Sequence, residues 1–152
     1  MVDIRFSRLA LLGSLALLAG AYAFQYLGGL APCTLCVWQR YPHVTAVSIG
    51  LIIAFTGETK LAAFGALATF GSAAIGMYHV GVEQGWWEGP ATCTSTGVSN
   101  LSAQELLDQI MAAPLVRCDD IAWQLAGISM AGWNVILSLG ITALWVMAFR
   151  RA

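Results

Sequence analysis

Two cysteines separated by two residues are the part of this sequence best suited to chemistry. Cys33 and Cys36 form a C-x-x-C pair, and Arg40 follows the second cysteine by four residues. Such a pair can close a small, easily reduced disulfide, and a helix that begins beside it favours a thiolate at Cys36. On that helix Arg40 lies one turn beyond Cys36 on nearly the same face. The segment predicts a redox site; the alternatives are a zinc half-site and an arginine that only anchors a membrane helix.

The composition indicates an integral membrane protein. Of the 152 residues 59% are hydrophobic and 10% are charged, whereas soluble domains carry about 25% charged residues. The net charge is -1 and the sequence contains no basic run, so there is no reason to expect nucleic acid as a partner. The expected environment is a lipid bilayer.

Four apolar stretches are long enough to cross a membrane, which takes about 20 helical residues. The predicted spans are residues 9–30, 35–55, 61–82 and 128–149. The sequence Ala21-Tyr22-Ala23 resembles a signal-peptide cleavage site, but the apolar run continues past it to Leu30, which favours an uncleaved span. The predicted fold is an all-α membrane protein, a single four-transmembrane-helix bundle over residues 1–152.

The second span decides where the C-x-x-C pair lies. Only 13 residues run from His43 to the polar cluster that starts at Thr56, so the helix must begin near Leu35 to reach across. Pro42 then lies inside the helix, where it is expected to cause a kink that opens room beside Cys36. The pair is therefore predicted at the membrane surface.

Small side chains recur along the third span, a pattern that lets helices approach closely in lipid. They are Gly65, Ala68, Gly71, Ser72 and Gly76. At the outer end of this span His79 and Glu83 lie one helical turn apart. An ionisable residue at that depth is a functional candidate, although a histidine there also serves as a simple polar anchor.

A long loop, residues 83–127, carries the other two cysteines, Cys93 and Cys118. Within it Ser102-Ala103-Gln104-Glu105 forms a capping box. Apolar residues follow at helical spacing: Leu106, Leu107, Ile110 and Met111. The loop is therefore predicted to carry a short amphipathic helix that lies on the membrane or on the bundle.

Basic residues set the orientation of the four spans. With the N-terminus inside, five of the seven basic residues face the cytoplasm, in agreement with the positive-inside rule. These are Arg5, Arg8, Lys60, Arg150 and Arg151. All four cysteines then lie on the outer face, where disulfides persist. Of the three possible pairings, proximity favours Cys33 with Cys36 and Cys93 with Cys118.

Together these features resemble the disulfide bond formation protein B (DsbB) family of bacterial inner-membrane thiol:quinone oxidoreductases. The resemblance covers nearly the whole chain. It rests on the C-x-L-C-x-x-x-R signature from Cys33 to Arg40, on His79 at the end of the third span, on a cysteine at each side of the loop helix, and on Gly127–Asn134 at the start of the fourth span. Gln39, before the arginine, is a mild departure from the better-known members.

The resemblance implies a role for each cysteine and an order of electron flow. Cys93 would be attacked by a reduced periplasmic thioredoxin-fold oxidase of the DsbA type. Cys118 would then pass electrons to Cys33, and Cys36 would engage a membrane quinone. Both termini would be cytoplasmic and the four cysteines periplasmic.

The cofactor implied by the resemblance is ubiquinone or menaquinone, with no metal. Arg40 would hold a quinone carbonyl, and His79 would belong to the same cofactor-binding site. General chemistry agrees, because an apolar quinone dissolved in the bilayer can reach Cys36 at the mouth of a helix. A guanidinium there stabilises the negative charge that develops on the quinone oxygen during reduction.

Three other interpretations stay open from the sequence. A metal or iron-sulfur module would need converging thiolates, yet Cys93 and Cys118 are 25 residues apart without C-x-x-C spacing. A non-catalytic tetraspan protein would use that pair as a structural disulfide but would leave Arg40 unexplained. A reductase of the vitamin K epoxide reductase type also has four cysteines, but its C-x-x-C follows the loop cysteines, the opposite order.

Overall fold

A computed structural model of the protein describes residues 5–90 and 116–151, together with Ser102, Gln104, Leu107 and Met111. Four long helices make up most of this part of the chain. They are α1 (Arg5–Tyr26), α2 (Thr34–Thr56), α3 (Ala62–Glu83) and α4 (Met130–Arg150). A 3-10 turn, Thr59–Leu61, joins α2 to α3, and two short strands, β1 (Gln124–Leu125) and β2 (Ile128–Ser129), precede α4.

The four helices form a bundle in which α2 and α4 each contact both α1 and α3. At one end the guanidinium of Arg151 lies 4.6 Å from the centre of the Phe6 ring, so the end of α4 lies beside the start of α1. The Thr59–Leu61 turn also contacts α4. At the opposite end Ser129, before α4, donates a hydrogen bond to Glu83, the last residue of α3. The C-x-x-C pair at the start of α2 belongs to this second end.

Close packing depends on small residues inside the bundle. Gly65 lies so near the indole of Trp145 that a Cβ atom there would be 2.6 Å from Cδ2. Trp145 is fully buried, whereas Phe55 and Leu67 are 87% and 68% exposed on the outside. Small and polar side chains inside with large apolar ones outside are what helices surrounded by lipid require.

Within the described part of the chain, three helical segments are long and apolar enough to cross a membrane: Arg5–Tyr26, Thr59–Glu83 and Met130–Arg150. The fold is that of a mostly helical membrane protein. The remaining helix, α2, has a comparable length of 23 residues but carries Gln39, Arg40 and His43 in its first half. The fourth span through α2 stays a prediction.

Helix α1 ends at Tyr26, four residues before the end of the predicted span 9–30. The backbone N–H groups of Leu27 and Gly28 both donate to the carbonyl oxygen of Ala23, which closes the last turn. Gly29 then adopts a φ of 67°, a left-handed conformation that glycine takes without strain and that commonly ends helices.

Helix α4 begins at Met130, two residues after the start of the predicted span 128–149. The difference arises because Ile128 and Ser129 pair with β1 as an antiparallel hairpin. Its two turn residues, Ala126 and Gly127, have φ values of 53° and 76°. Two positive φ values in succession are those of a type I′ turn, which matches the twist of the flanking strands.

Pro42 lies inside α2, which continues through it. The groove beside Pro42 is lined by Trp38 and Leu67 and therefore faces α3. The room beside Cys36 that we predicted from a proline kink instead lies between α1, α2 and α4. Six residues along an α-helix rotate the side-chain direction by about 240°, so space at Pro42 does not open toward Cys36.

The long loop is described only in part. Gln104, Leu107 and Met111 are helical, and the side chains of Leu107 and Met111 are 54% and 80% exposed. The remainder of the predicted amphipathic helix lies outside the described residues, and so does Cys93.

Candidate functional site

Cys33 is the N-cap of α2. Its backbone is extended, with φ -74° and ψ 170°, and its sulfur accepts a hydrogen bond from the backbone N–H of Cys36 at 3.3 Å. The sulfur thus takes the place of the side-chain oxygen that caps most helices. Because the first unpaired N–H groups of a helix point at the N-cap, the positive end of the helix stabilises an anion at Cys33.

The N-cap geometry therefore favours the negative charge on Cys33 rather than on the predicted Cys36. The hydrogen bond from Cys36, whose sulfur lies 2.9 Å away, lowers the pKa of Cys33 to about 4, and His79 and the backbone add to the effect against the cost of burial. A thiolate at Cys36 is expected only if the helix begins beside the second cysteine. The helix begins at Thr34, so the cap is Cys33.

The oxidation states of the described cysteines differ from the predicted resting pairing. Cys33 and Cys36 are free, whereas Cys118 is disulfide-bonded. Cys93 lies outside the described residues. The sulfurs of Cys33 and Cys36 are in hydrogen-bonding contact rather than bonded, and their oxidation to a disulfide requires only a small approach of the two atoms.

The loop cysteine Cys118 lies against the C-x-x-C pair. The sulfurs of Cys33 and Cys118 and a ring nitrogen of His79 all lie within 4.8 Å of one another, and all three residues are buried. Three such atoms could begin a metal site, but the sulfur of Cys118 is already bonded to another sulfur and is not a thiolate ligand. The arrangement instead suits thiol–disulfide exchange between Cys118 and Cys33.

His79 reaches this cluster from the last turns of α3 and is 3% exposed. Its Nε2 is 3.1 Å from the carbonyl oxygen of Cys118, 3.7 Å from the sulfur of Cys33 and 3.9 Å from a carboxylate oxygen of Glu83. Its Nδ1 is 3.0 Å from the amide nitrogen of Gln39. The predicted cofactor-binding histidine is thus surrounded by the cysteines and by α2.

Arg40 is held by side chains of α1. One guanidinium nitrogen donates a hydrogen bond to Gln25 at 2.6 Å, and the guanidinium carbon lies 4.9 Å from the centre of the Tyr22 ring. A cation over an aromatic face is attractive, and a guanidinium has further N–H groups beyond the one that Gln25 uses. Arg40 is therefore fixed in place with donors remaining for a ligand.

Two cavities meet at Cys36 and Arg40. The deep cavity lies between α1, α2 and α4; its lining includes Leu17, Ala21, Cys36, Arg40, His43 and Asn134. The loop cavity lies under the segment that contains Cys118; its lining includes Cys33, Cys36, Arg40, His79, Glu83 and Arg117. Cys36 and Arg40 line both cavities, so both side chains are accessible to a molecule bound in either one.

The sequence interpretation missed a buried line of polar side chains between α2, α3 and α4. Gln39 accepts a hydrogen bond from Asn134 at 2.8 Å, and His43 lies 3.0 Å from the hydroxyl of Ser138. The signal was present: Gln39 and His43, and likewise Asn134 and Ser138, are polar residues four apart in apolar helices. Polar groups buried in lipid-surrounded helices need partners, so such pairs indicate a shared internal face.

Comparison with known proteins identifies the family of the chain. The sequence profile of the family "Disulfide bond formation protein DsbB" matches residues 5–148. The chain is similar to disulfide bond formation protein B of Dechloromonas aromatica, with 33% identity over 92% of this chain and 88% of the relative. It is also similar to the protein of that name from Hahella chejuensis, with 27% identity over 94% of this chain and 91% of the relative.

A third relative, disulfide bond formation protein B of Methylococcus capsulatus, is 32% identical over 84% of this chain and 82% of its own length. The profile match spans the first three helices, nearly all of α4 and the cysteine cluster, and the chain covers most of the length of each of these relatives. The chain belongs to the DsbB family of membrane proteins that form disulfide bonds.

Proposed function

We propose that the protein is a thiol:quinone oxidoreductase that reoxidises a periplasmic thioredoxin-fold oxidase of the DsbA type. Electrons would pass from the pair Cys93 and Cys118 to the pair Cys33 and Cys36, and then to a membrane quinone. The observation that carries this proposal is the contact of Cys118 with Cys33 on one side, while Cys36 lines the deep cavity on the other.

The relay would consist of thiol–disulfide exchanges that conserve electrons. A thiolate of the partner attacks Cys93, and Cys118 leaves with the electron pair of the broken bond. Cys118 then attacks Cys33 in a Cys33–Cys36 disulfide, a new sulfur–sulfur bond forms, and Cys36 leaves as a thiolate.

The partner would be released when its second thiolate attacks the mixed disulfide at Cys93, which oxidises the partner and frees Cys93 as a thiolate. The Cys93 thiolate then attacks Cys118, the bond between Cys118 and Cys33 breaks, and Cys33 leaves as a thiolate, so Cys33 and Cys36 are both reduced. The structure is consistent with that last condition, because Cys118 is disulfide-bonded while Cys33 and Cys36 are free.

The lining of the deep cavity fits the head of a quinone, either ubiquinone or menaquinone. Leu17, Ala21 and Met130 provide apolar walls, and Cys36 and Arg40 provide polar groups. A quinone supplies an acceptor for two electrons and two protons. Arg40, oriented by its contacts with α1, would donate hydrogen bonds to a quinone carbonyl, and Cys36 would hold its sulfur beside the ring.

We place the protein in the bacterial inner membrane with four crossings, both termini cytoplasmic and all four cysteines periplasmic. The contact of Arg151 with Phe6 supports this orientation, because it puts both ends of the described chain at the end of the bundle away from Cys33. Labelling with an impermeant maleimide in spheroplasts tests it. The reduced cysteines should react from the outside, and labelling of Cys33 only after the inner leaflet is opened would contradict this topology.

The overall activity can be tested with purified protein, a reduced DsbA-type protein and a quinone. The fall in quinone absorbance should correspond to one quinone molecule reduced for each dithiol oxidised. The reaction should require all four cysteines. Oxidation of the partner at an equal rate with the quinone omitted, and with oxygen excluded, would contradict the proposal.

A further inference from the structure

The amide of Gln39 lies at the centre of the buried polar line, between Cys33 and the core. Its nitrogen donates to the carbonyl oxygen of Leu35 at 3.1 Å and faces Nδ1 of His79 at 3.0 Å. Its oxygen accepts a hydrogen bond from the amide nitrogen of Asn134 at 2.8 Å. Gln39 is 6% exposed, so these protein groups, not bulk water, decide how the amide is oriented.

Backbone carbonyl groups determine which side of the Gln39 and Asn134 amides carries the nitrogen and which carries the oxygen. A carbonyl oxygen only accepts, so Leu35 requires the nitrogen of Gln39 on its side. The nitrogen of Asn134 is likewise 3.4 Å from the carbonyl oxygen of Ser72 and 3.1 Å from its hydroxyl, whose proton is donated to the backbone oxygen of Gln39. Turning the Gln39 amide over would set oxygen against oxygen at Leu35 and nitrogen against nitrogen at Asn134.

This orientation determines where His79 carries its proton. The amide nitrogen of Gln39 can only donate, so Nδ1 of His79 must be unprotonated to accept from it. The proton of the neutral ring is then on Nε2, which faces the carbonyl oxygen of Cys118 and the sulfur of Cys33. The carbonyl oxygen of Cys118 also needs a donor, so both sides of the ring require the same tautomer.

We propose that Gln39 is a positioning residue that holds His79 as its Nε2–H tautomer, so that this N–H is shared between the Cys118 carbonyl and the Cys33 sulfur. His79 thereby attaches the loop segment of Cys118 to the helix end that carries Cys33. It stabilises Cys33 as a thiolate when Cys118 leaves it, and it keeps its own proton. Its proposed task is at the cysteines; the role in turnover rests on the proposed function, whereas the tautomer does not.

The tautomer can be read directly, because the chain contains two histidines, His43 and His79. Protein labelled with ¹⁵N-histidine gives two ring systems in nitrogen NMR, which a His43→Gln variant assigns. In the reduced wild-type protein, without quinone or partner, His79 should show a protonated Nε2 and an unprotonated Nδ1. A protonated Nδ1 in the wild type would overturn the inference.

Two substitutions test whether Gln39 is the cause. Gln39→Glu replaces the donor with an acceptor, so Nδ1 of His79 should become protonated; an Nδ1 that stays unprotonated would overturn the positioning role. Gln39→Leu keeps the volume and removes the hydrogen bond. At pH 4, close to the pKa of Cys33, it should slow alkylation of Cys33 by about threefold to tenfold, since a hydrogen bond to a thiolate is charge-assisted.

Thr45→Val is the matched control on the same helix. The hydroxyl of Thr45 is exposed and donates to the carbonyl oxygen of Tyr41, away from the polar line. In Thr45→Val, the tautomer of His79 and the alkylation rate of Cys33 should equal those of the wild type. If Gln39→Leu also leaves the alkylation rate unchanged, Gln39 does not act on Cys33. Failure of the quinone assay with the tautomer intact would instead count against the proposed function alone.

Discussion

Cys33 and Cys36 are three residues apart on one helix, yet their surroundings differ. Cys33 is the N-cap, 5% exposed, and faces His79 and Cys118. Cys36 lies in the first turn, is half-buried, and lines the deep cavity together with Arg40. A C-x-x-C pair at a helix end can therefore present one sulfur to a protein loop and the other to a small molecule in lipid, which is what a relay between a protein and a quinone requires.

The same contrast explains how the negative charge would move during turnover. While both cysteines are reduced, the N-cap position and the hydrogen bond from Cys36 hold the charge on Cys33. Once Cys33 is bonded to Cys118, it can no longer accept the charge as a thiolate, and Cys36 becomes the leaving sulfur beside Arg40. The thiolate predicted at Cys36 would thus form in the proposed mixed disulfide, whereas the N-cap geometry favours the charge on Cys33 in the reduced pair.

Arg40→Ala tests the proposed binding of quinone beside Cys36, and we expect it to change the measured rates more than the variants below. The half-saturating quinone concentration should rise about tenfold to a hundredfold, the range expected for the loss of a hydrogen bond from a charged donor. For Arg40→Lys the half-saturating quinone concentration should lie between those of the wild type and Arg40→Ala, because lysine offers a point charge without the planar guanidinium group. The measurement is the initial rate of quinone reduction as a function of quinone concentration.

Arg117→Ala is the control for that experiment, because Arg117 lines the loop cavity but not the deep one. Its guanidinium pairs with Asp119, so its loss should leave the quinone dependence unchanged. An equal rise in both variants would show that the two cavities are not distinct in function. An unchanged dependence in Arg40→Ala would make that arginine only an anchor for the helix end.

The pH dependence of alkylation separates the two sulfurs. An ordinary thiol, with a pKa of about 8.5, reacts about tenfold more slowly for each pH unit below that value. Because the pKa of Cys33 is lowered to about 4, its thiolate persists until the pH falls through that value. The alkylation rate of Cys33 in the reduced protein should therefore be nearly constant from pH 8 to pH 5.

Removing Cys36 tests whether that residue lowers the pKa of Cys33. The hydrogen bond from Cys36 is the largest cause of the lowered pKa of Cys33. In Cys36→Ala the pKa of Cys33 should rise toward its ordinary value, and its alkylation should become pH-dependent in that range. Mass spectrometry of the alkylated peptide identifies the modified residue. Faster modification of Cys36 than of Cys33 at pH 5 in the wild type would refute the assignment.

Gly76 tests how tightly the polar line is packed, with a smaller effect. A Cβ atom there would lie 2.9 Å from Val135 and 3.2 Å from the amide nitrogen of Asn134. Gly76→Ala should therefore lower the free energy of unfolding by roughly 1–3 kcal/mol, the usual cost of overpacking. Gly71 has nothing within 4 Å of such an atom, so Gly71→Ala is the control. Equal thermal stability of both variants would contradict close packing at Gly76.

Local features of the site could be predicted from the sequence. The spacing of Cys36 and Arg40 correctly brings both to one cavity, because residues four apart share a helix face. Which sulfur caps the helix could not be predicted, since this depends on a shift of a residue or two in where the helix begins. The partner of Gln39 could not be predicted either. Asn134 is 95 residues away, and only the packing of α2 against α4 brings them together.

In the proposed relay the loop pair, Cys93 and Cys118, serves the protein partner, and the helix pair, Cys33 and Cys36, serves the quinone. Single-turnover assays on Cys33→Ala and Cys93→Ala test it, with the redox state of the partner read by thiol alkylation and the quinone read by absorbance. In Cys33→Ala the partner should reduce the disulfide of Cys93 with Cys118 once, and the quinone should not regenerate it.

In Cys93→Ala the pair Cys33 and Cys36 should still accept electrons from dithiothreitol and pass them to the quinone, yet be nearly inert toward the protein partner. That combination of results is the one the relay predicts. Sustained reduction of the quinone by the protein partner in Cys93→Ala would contradict it.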